Sequence, residues 1–263
     1  MKPLEDFERM MILICRDYIC TEPKALDLFL RAINWFDPLQ VNIAKLYITK
    51  WKKITLIDAV SLLDARFPCS FVREYAISVI SEYTDDLIQV YMLQLCQCLM
   101  YELYHNSPLA NFIIQRSLKS PKLIGSSFFW NSIVGSQNKL FKQRLSLIAL
   151  EILMLAGPTF IDYMEQSIKI NEILKQIAST VKDSDPSKRI EVLHDEIKEK
   201  CKSAVNLPIH PTFYLSEFLA EACGIFSSKM VPLKLVAKSK IPYEDNHFFN
   251  VIYKVGKRIL IIR

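Results

Sequence analysis

A chain of 263 residues with 51% hydrophobic and 23% charged side chains buries a sizeable core, which excludes a disordered tail and leaves room for two unequal folding units. Only five glycines are present, which argues against a β-sandwich or barrel with a tight turn roughly every ten residues and favours long helices. The net charge of +5 is uneven: residues 229–263 hold eight Lys or Arg against Glu244 and Asp245, a bias that suits phosphate or an anionic membrane surface as well as a plain solvated face.

The first residues, Met1 to Arg16, carry Glu5, Asp6 and Glu8 and no cleavable signal pattern, so a cytoplasmic chain, at most peripheral at membranes, is expected. From Leu26 to about Ala156 apolar residues recur at helical spacing between short breakers. Asp37-Pro38 opens a helix with Val41, Ala44 and Tyr47 or Ile48 on one face, and Phe67-Pro68 opens one with Val72, Ala76 and Val79 or Ile80. The shared pattern resembles the step of a helical-repeat solenoid. Thr84 is a candidate N-cap, with Asp85 and Asp86 in the first turn of a long helix expected to reach about Tyr104. Its predicted core positions are Leu87, Tyr91, Leu95, Cys98 and Leu99, with Gln94 and Gln97 placed to bond neighbouring helices. Ser107-Pro108 caps and starts the next helix.

Leu145 to Gly157 is the longest apolar stretch, but it contains Glu151 and falls short of the ~20 residues of a membrane span, so it reads as a core helix. Gly157-Pro158 is the clearest breaker. Two more polar helices are predicted beyond it, over roughly 160–181 and 187–203, parted by Asp183-Ser184-Asp185-Pro186. After Leu207-Pro208 and His210-Pro211 the texture changes, and Val251-Ile252-Tyr253 has the β-branched and aromatic character of a strand. The seven cysteines are odd in number and scattered, as free thiols would be. No spacing of His and Cys suggests a metal site, and the aromatics do not interleave with surface lysines as a nucleic-acid interface would.

Several segments match a known family in order and spacing. They are Arg31-Ala32-Ile33-Asn34-Trp35, Trp51, Asp58-Ala59-Val60-Ser61-Leu62-Leu63-Asp64, Val72-Arg73-Glu74-Tyr75-Ala76, Tyr91-Met92-Leu93-Gln94-Leu95, Tyr101-Glu102, Gln115-Arg116 and Phe128-Phe129-Trp130. A second group comprises Cys223, Phe226-Ser227-Ser228-Lys229-Met230-Val231-Pro232-Leu233 and Val251-Ile252-Tyr253-Lys254-Val255-Gly256. Together they resemble the phosphoinositide 3-kinase family, the first group its helical accessory domain and the second part of its kinase small lobe. In the first group, Trp51, Tyr75 and Trp130 read as fillers of helix interfaces, and Asp58, Arg73 and Arg116 as charged ties between helices.

The resemblance implies a mainly α fold: a right-handed solenoid of helical hairpins, HEAT or armadillo-like, over residues 1–156, then a partial α+β kinase N-lobe over residues 157–263. It implies a phosphatidylinositol 3-kinase fragment, whose complete form would use ATP with Mg to phosphorylate the inositol 3-hydroxyl of membrane phosphoinositides. By position in the family, Ser228 would contact phosphate, Lys254 would reach the α-phosphate, and Phe226 and Ile252 would border the adenine. Implied partners are a regulatory subunit, the remaining kinase lobe and anionic membrane lipid, with no nucleic acid.

Lys234, where some members would stack a tryptophan on the adenine, points to class III, whereas Ser228-Lys229-Met230 points to class I. After Gly256 the family continues with Asp-Asp-Leu-Arg-Gln-Asp, but this chain reads Lys257-Arg258-Ile259-Leu260-Ile261-Ile262-Arg263. Such an end would follow from a shifted reading frame, a mis-spliced gene model or a true short product. No catalytic-loop Asp-Arg-His or metal-anchoring Asp-Phe-Gly is present, so no catalytic or metal residue is assigned and the chain alone is expected to be inactive. The alternative is a stand-alone helical interaction or regulatory protein that binds a partner subunit of such a kinase.

Overall fold

The computed structural model describes residues 3–67, 69–133, 139–201, 205–207, 214–239, 248–254 and 260–262, and over these the chain is mainly α-helical and closes with an antiparallel sheet. Pro68, Pro208, His210, Pro211, Lys240, Glu244, Asp245, His247, Val255, Gly256, the run 257–259 and Arg263 lie outside the described residues. Two compact units form, Met1–Lys119 with Gly135–Ile148, and Ser120–Val134 with Ala149–Arg263.

The first unit opens with α1 (Asp6–Ile14), α2 (Arg16–Ile19) and α3 (Leu26–Ala32). Next comes α4 (Pro38–Lys50), started as the sequence predicts: Pro38 occupies its first turn and the Asp37 carboxylate accepts from the Leu39 N–H at 2.9 Å. Its Ala44, Tyr47 and Ile48 are buried. Phe29 of α3 lies against Tyr47 and Trp51, with ring centroids 5.8 and 5.0 Å apart, and the Trp51 indole N–H donates to the Glu22 carbonyl at 3.0 Å. A large aromatic is thus buried with its polar handle satisfied.

In α5 (Leu56–Ser61) the Asp58 carboxylate accepts from the Thr55 N–H at 3.2 Å and its hydroxyl at 2.6 Å. This capping box corrects the reading of Asp58 as a tie between helices, because the carboxylate serves the start of its own helix. α6 (Ser70–Ser81) buries Val72, Ala76, Val79 and Ile80 as predicted, and also Arg73. It packs against α4, α5 and α9 (Pro108–Lys119).

The long helix expected from Thr84 to Tyr104 is divided. α7 (Asp85–Val90) stops at Tyr91, whose ψ of 4° leaves the helical region, α8 (Met92–Cys98) follows, and a 3₁₀ turn spans Leu99–Tyr101. The break rotates the buried face, so Ile88 and Met92 become core, Leu87 is 45% exposed and Gln94 and Gln97 face solvent. No glycine or proline marks it. Thr84 holds the N-cap position of α7 without a side-chain hydrogen bond, whereas the Ser107 hydroxyl accepts from the Ala110 N–H at 3.2 Å and starts α9.

Arg116 of α9 donates to the Asp85 carboxylate at 2.5 Å and to the carbonyls of Ser81 and Tyr83 at 3.2 and 2.6 Å, joining three segments as the sequence predicts. Arg73 donates to Glu102 at 2.8 Å and to the Asp64 carbonyl at 3.1 Å, and both side chains of the ion pair are only 3% exposed. Arg144 fastens the same turn by donating to the carbonyls of Leu99 and Glu102 at 2.6 and 2.8 Å.

The second unit holds a π turn at Pro121–Gly125 and α10 (Ser126–Ile133). α11 (Lys139–Ala156) runs from the first unit into the second. It ends at Gly157, where φ of +81° admits little but glycine, and Pro158 then opens α12 (Pro158–Asp183). α13 (Arg189–Lys200) starts two residues later than predicted. The Asp185 carboxylate captures the Ser187 N–H and hydroxyl at 3.1 and 2.9 Å, a local turn that competes with helix and holds this carboxyl below its ordinary pKa. Among the described residues no helix is long and apolar enough to cross a membrane.

The sheet comprises β1 (Val205–Asn206), β2 (Tyr214–Phe218), β3 (Gly224–Ile225), β4 (Leu233–Ser239), β5 (Phe248–Lys254) and β6 (Leu260–Ile262), ordered β1-β2-β4-β5-β6 with β3 also paired to β4. Alternation sends Leu233, Leu235, Ala237, Val251 and Tyr253 into a core with Ile170, Leu174 and Ile177 of α12 and Leu193 and Ile197 of α13. The Tyr253 hydroxyl donates to the Asn171 side-chain oxygen and carbonyl, both at 3.3 Å, and burial pushes this phenol up to about 12. The ordinary value is 10.0, so the stability that rests on the neutral phenol is complete below pH 10 and is lost as pH rises through 12. In urea titrations at pH 8 and 11, Tyr253→Phe is expected to cost about 1–3 kcal/mol at pH 8, where Asn171 is left unpaired, and to lose less between the two pH values than the wild type.

Candidate functional site

β3 and β4 form a hairpin whose connection, residues 226–232, carries two of the four predicted contact residues. Its base is closed by the Phe226 N–H donating to the Pro232 carbonyl at 3.0 Å, and within it Ser228 N–H donates to the Phe226 carbonyl at 2.9 Å and Val231 N–H to the Ser228 carbonyl at 3.0 Å. Val231 sits at φ 46°, a left-handed conformation that costs a β-branched residue about 1–3 kcal/mol and is rarer still before proline. Burial of its side chain, 6% exposed, in the core of the unit offsets this strain. With that anchor the turn presents Phe226, Ser227, Ser228, Lys229 and Met230 outward.

Strand register places the other two residues. Gly224 pairs with Lys234, which pairs with Ile252, and Ile225 pairs with Leu233, which pairs with Tyr253. Lys254, one residue further along β5, therefore lies at the end of the sheet where Pro232 closes the turn. Ile252 and Lys254 share the face opposite the buried Val251 and Tyr253, and both are half-buried. Lys234 stands on that face as well, exposed. The space over Gly224 is open, since a Cβ built there meets no atom within 4 Å.

Phe226, Ser228, Ile252 and Lys254 thus converge on one end of three neighbouring strands. Among the described residues no hydrogen bond joins Lys254 to the turn, so its ammonium is not tied to Ser228. Exposed hydroxyls and a lysine ammonium are groups that can hydrogen-bond an anion. Among the described residues no group of three or more His, Cys, Asp or Glu is placed to hold a metal ion.

Two supports of the turn were not legible in the sequence. Val231 in a left-handed conformation contradicts its own propensity, so no local signal announces it. His194 of α13 lies 3.1 Å from the Cys223 carbonyl through Nε2 and 3.5 Å from Glu221 through Nδ1, while Lys198 pairs with Glu221 and holds that carboxyl below its ordinary pKa. Cys223 accepts the Val236 N–H at 3.3 Å, and burial raises its thiol pKa, a structural role for a matched cysteine.

Comparison with known proteins shows what the chain is similar to. The chain is 33% identical over 241 residues to phosphatidylinositol 3-kinase 2 of Dictyostelium discoideum, covering 90% of this chain and 13% of that protein. It is 30% identical over 268 residues to phosphatidylinositol 3-kinase pik3 of Schizosaccharomyces pombe, covering 95% and 33%, and 26% identical over 274 residues to phosphatidylinositol 3-kinase VPS34 of Arabidopsis thaliana, covering 97% and 33%. The chain therefore spans a third or less of the length of these relatives. Residues 1–158 match the model of the phosphoinositide 3-kinase family accessory domain, the PIK domain. With more than half of its length in that match, the chain belongs to the phosphoinositide 3-kinase family.

Proposed function

We propose that the chain contributes the helical accessory domain, residues 1–156, and an ATP-facing sheet, within residues 157–263, to a phosphatidylinositol 3-kinase acting on the inositol 3-hydroxyl of membrane phosphoinositides. The observation that carries this reading is the strand register, which sets the 226–232 turn and Lys254 at one end of the sheet in a chain of this family.

Each residue then has a defined task. The Lys254 ammonium neutralises phosphate charge, and the Ser228 hydroxyl donates a hydrogen bond to phosphate oxygen. Phe226, 42% exposed, and half-buried Ile252 supply apolar surface for a base. ATP, with Mg, supplies the transferable phosphoryl group when bound. Among the described residues no group of three or more His, Cys, Asp or Glu is placed for the metal. We assign no catalytic residue, since no Asp-Arg-His or Asp-Phe-Gly segment occurs in the sequence, and propose that these 263 residues by themselves hold a nucleotide without transferring its phosphate. Basic residues near the sheet suit anionic lipid, and the helical unit offers surface to a regulatory subunit or to the other kinase lobe.

Two assays on the purified chain test this. A fluorescent ATP analogue is expected to bind saturably and to be displaced by ATP, and phosphatidylinositol vesicles with labelled ATP are expected to yield no 3-phosphoinositide above blank. Absence of competable binding refutes the nucleotide role, and product formation refutes the claim that the chain alone does not transfer phosphate.

A further inference from the structure

The turn that carries Phe226 and Ser228 is anchored at both ends. At its far end Val231 is 6% exposed in the core of the second unit. At its near end the chain enters through a 3₁₀ turn, Ala220–Ala222, and Cys223, then pairs with β4 for only two residues, Gly224 and Ile225. Two pairs of a ladder orient a segment weakly, so the residues that lead into β3 decide where the turn points.

Most hydrogen-bonding groups of that lead-in find partners close by. The Cys223 N–H donates to the carbonyls of Leu219 and Ala220 at 3.2 and 3.0 Å, and the Leu219 N–H donates to the Val236 carbonyl at 2.8 Å. The Cys223 sulfur accepts the Val236 N–H. Its carbonyl is met from another element: among the described residues it is His194 of α13 that reaches it, with Nε2 at 3.1 Å. A carbonyl only accepts, so Nε2 carries the ring hydrogen and donates. The imidazole is 18% exposed, which leaves water little room to compete. Glu221 also draws the 3₁₀ turn toward α13, but it and Lys198 are 75 and 55% exposed, and such a pair is screened.

We infer that His194 is a positioning residue: by holding the Cys223 carbonyl it sets the angle at which β3 presents Phe226 and Ser228 to Lys254, and so raises nucleotide affinity without touching the nucleotide. The inference rests on the nucleotide reading of the turn and extends it to α13. That helix is a firm base, since Leu193 and Ile197, on either side of His194, are buried in the second core. Lys254 is placed by other means, on β5, which pairs with β4 from Phe248 to Tyr253. Loss of His194 therefore shifts one half of the site and leaves the other in place.

The test compares variants of the full chain by displacement of a fluorescent ATP analogue and by amide hydrogen exchange. His194→Leu is expected to weaken binding about five- to tenfold, the loss of one hydrogen bond, with circular dichroism unchanged. His194→Gln, whose amide N–H can donate to the same carbonyl, should stay within about twofold of the wild type. Glu221→Gln should do the same, because the exposed ion pair contributes little. Ile197→Val thins the core contact of the same helix without touching Cys223, so it should lower stability yet leave affinity within about twofold. In His194→Leu the N–H groups of Phe226 and Val231, which close the turn, should exchange about tenfold faster, while those of Leu174 and Ile177 in α12 should not change. The proposal is overturned if His194→Leu binds as the wild type does, if glutamine fails to restore binding, if Ile197→Val weakens binding as much, or if exchange at the turn is unaltered. A wild-type chain that binds no analogue refutes the nucleotide reading, whereas equal binding by wild type and His194→Leu refutes only the role of His194.

Discussion

Arg73→Met is expected to lower the unfolding free energy of the first helical unit by about 3–5 kcal/mol, read from urea titration with Trp51 fluorescence. The guanidinium and the Glu102 carboxylate are both 3% exposed and 2.8 Å apart, so solvent screens them little and removal of one leaves the other charged in a dry interior. The pair joins α6 to the 3₁₀ turn after α8, whose carbonyls already hold Arg144. Arg73→Met together with Glu102→Leu should recover most of the loss, because apolar side chains of similar size tolerate the site. About 1 kcal/mol should remain, from the Asp64 carbonyl that Arg73 no longer serves. If the double variant were as unstable as either single one, the cost would lie in packing and not in the stranded charge.

Lys254→Met is expected to weaken ATP binding about ten- to hundredfold without loss of fold, measured by displacement of the fluorescent analogue. A charge-assisted hydrogen bond contributes about 1.5–3 kcal/mol, and each 1.4 kcal/mol is tenfold in affinity. Methionine keeps the length and apolar stem that leave Lys254 half-buried on its strand. Lys238 supplies the control. It pairs with Phe248 at the opposite end of β4 and β5, so Lys238→Met removes the same charge from the sheet and should leave affinity within about threefold. Equal losses in the two variants would mean that the sheet attracts ATP by its general charge and has no site at the turn.

What could be read from the sequence follows the range of the forces involved. Asp37-Pro38, Ser107-Pro108 and Gly157-Pro158 act within a few residues, and each starts or stops a helix where local chemistry puts it. The break at Tyr91 is set by packing, with Ile88 and Met92 both drawn into the core, and no residue type there announces it. Arg73 and Arg116 stood out as charged residues in matched segments, but their partners lie 29 and 31 positions away, beyond any spacing rule. Asp58 failed in the opposite direction, because its short-range partner Thr55 outcompetes any neighbour helix.

At the candidate site the strand around Val251 was legible from its β-branched and aromatic residues, and the placement of Lys254 beside the turn came with register. The strain at Val231 and the His194 brace depend on the second core, and neither leaves a mark on local sequence.

The most direct measurement uses an acyl-phosphate derivative of ATP, which transfers its acyl group to a lysine held beside the phosphates, with the labelled residue identified by mass spectrometry. Labelling concentrated on Lys254 and suppressed by excess ATP is the predicted result. Labelling spread over Lys229, Lys234 and Lys238 and indifferent to ATP would contradict the account.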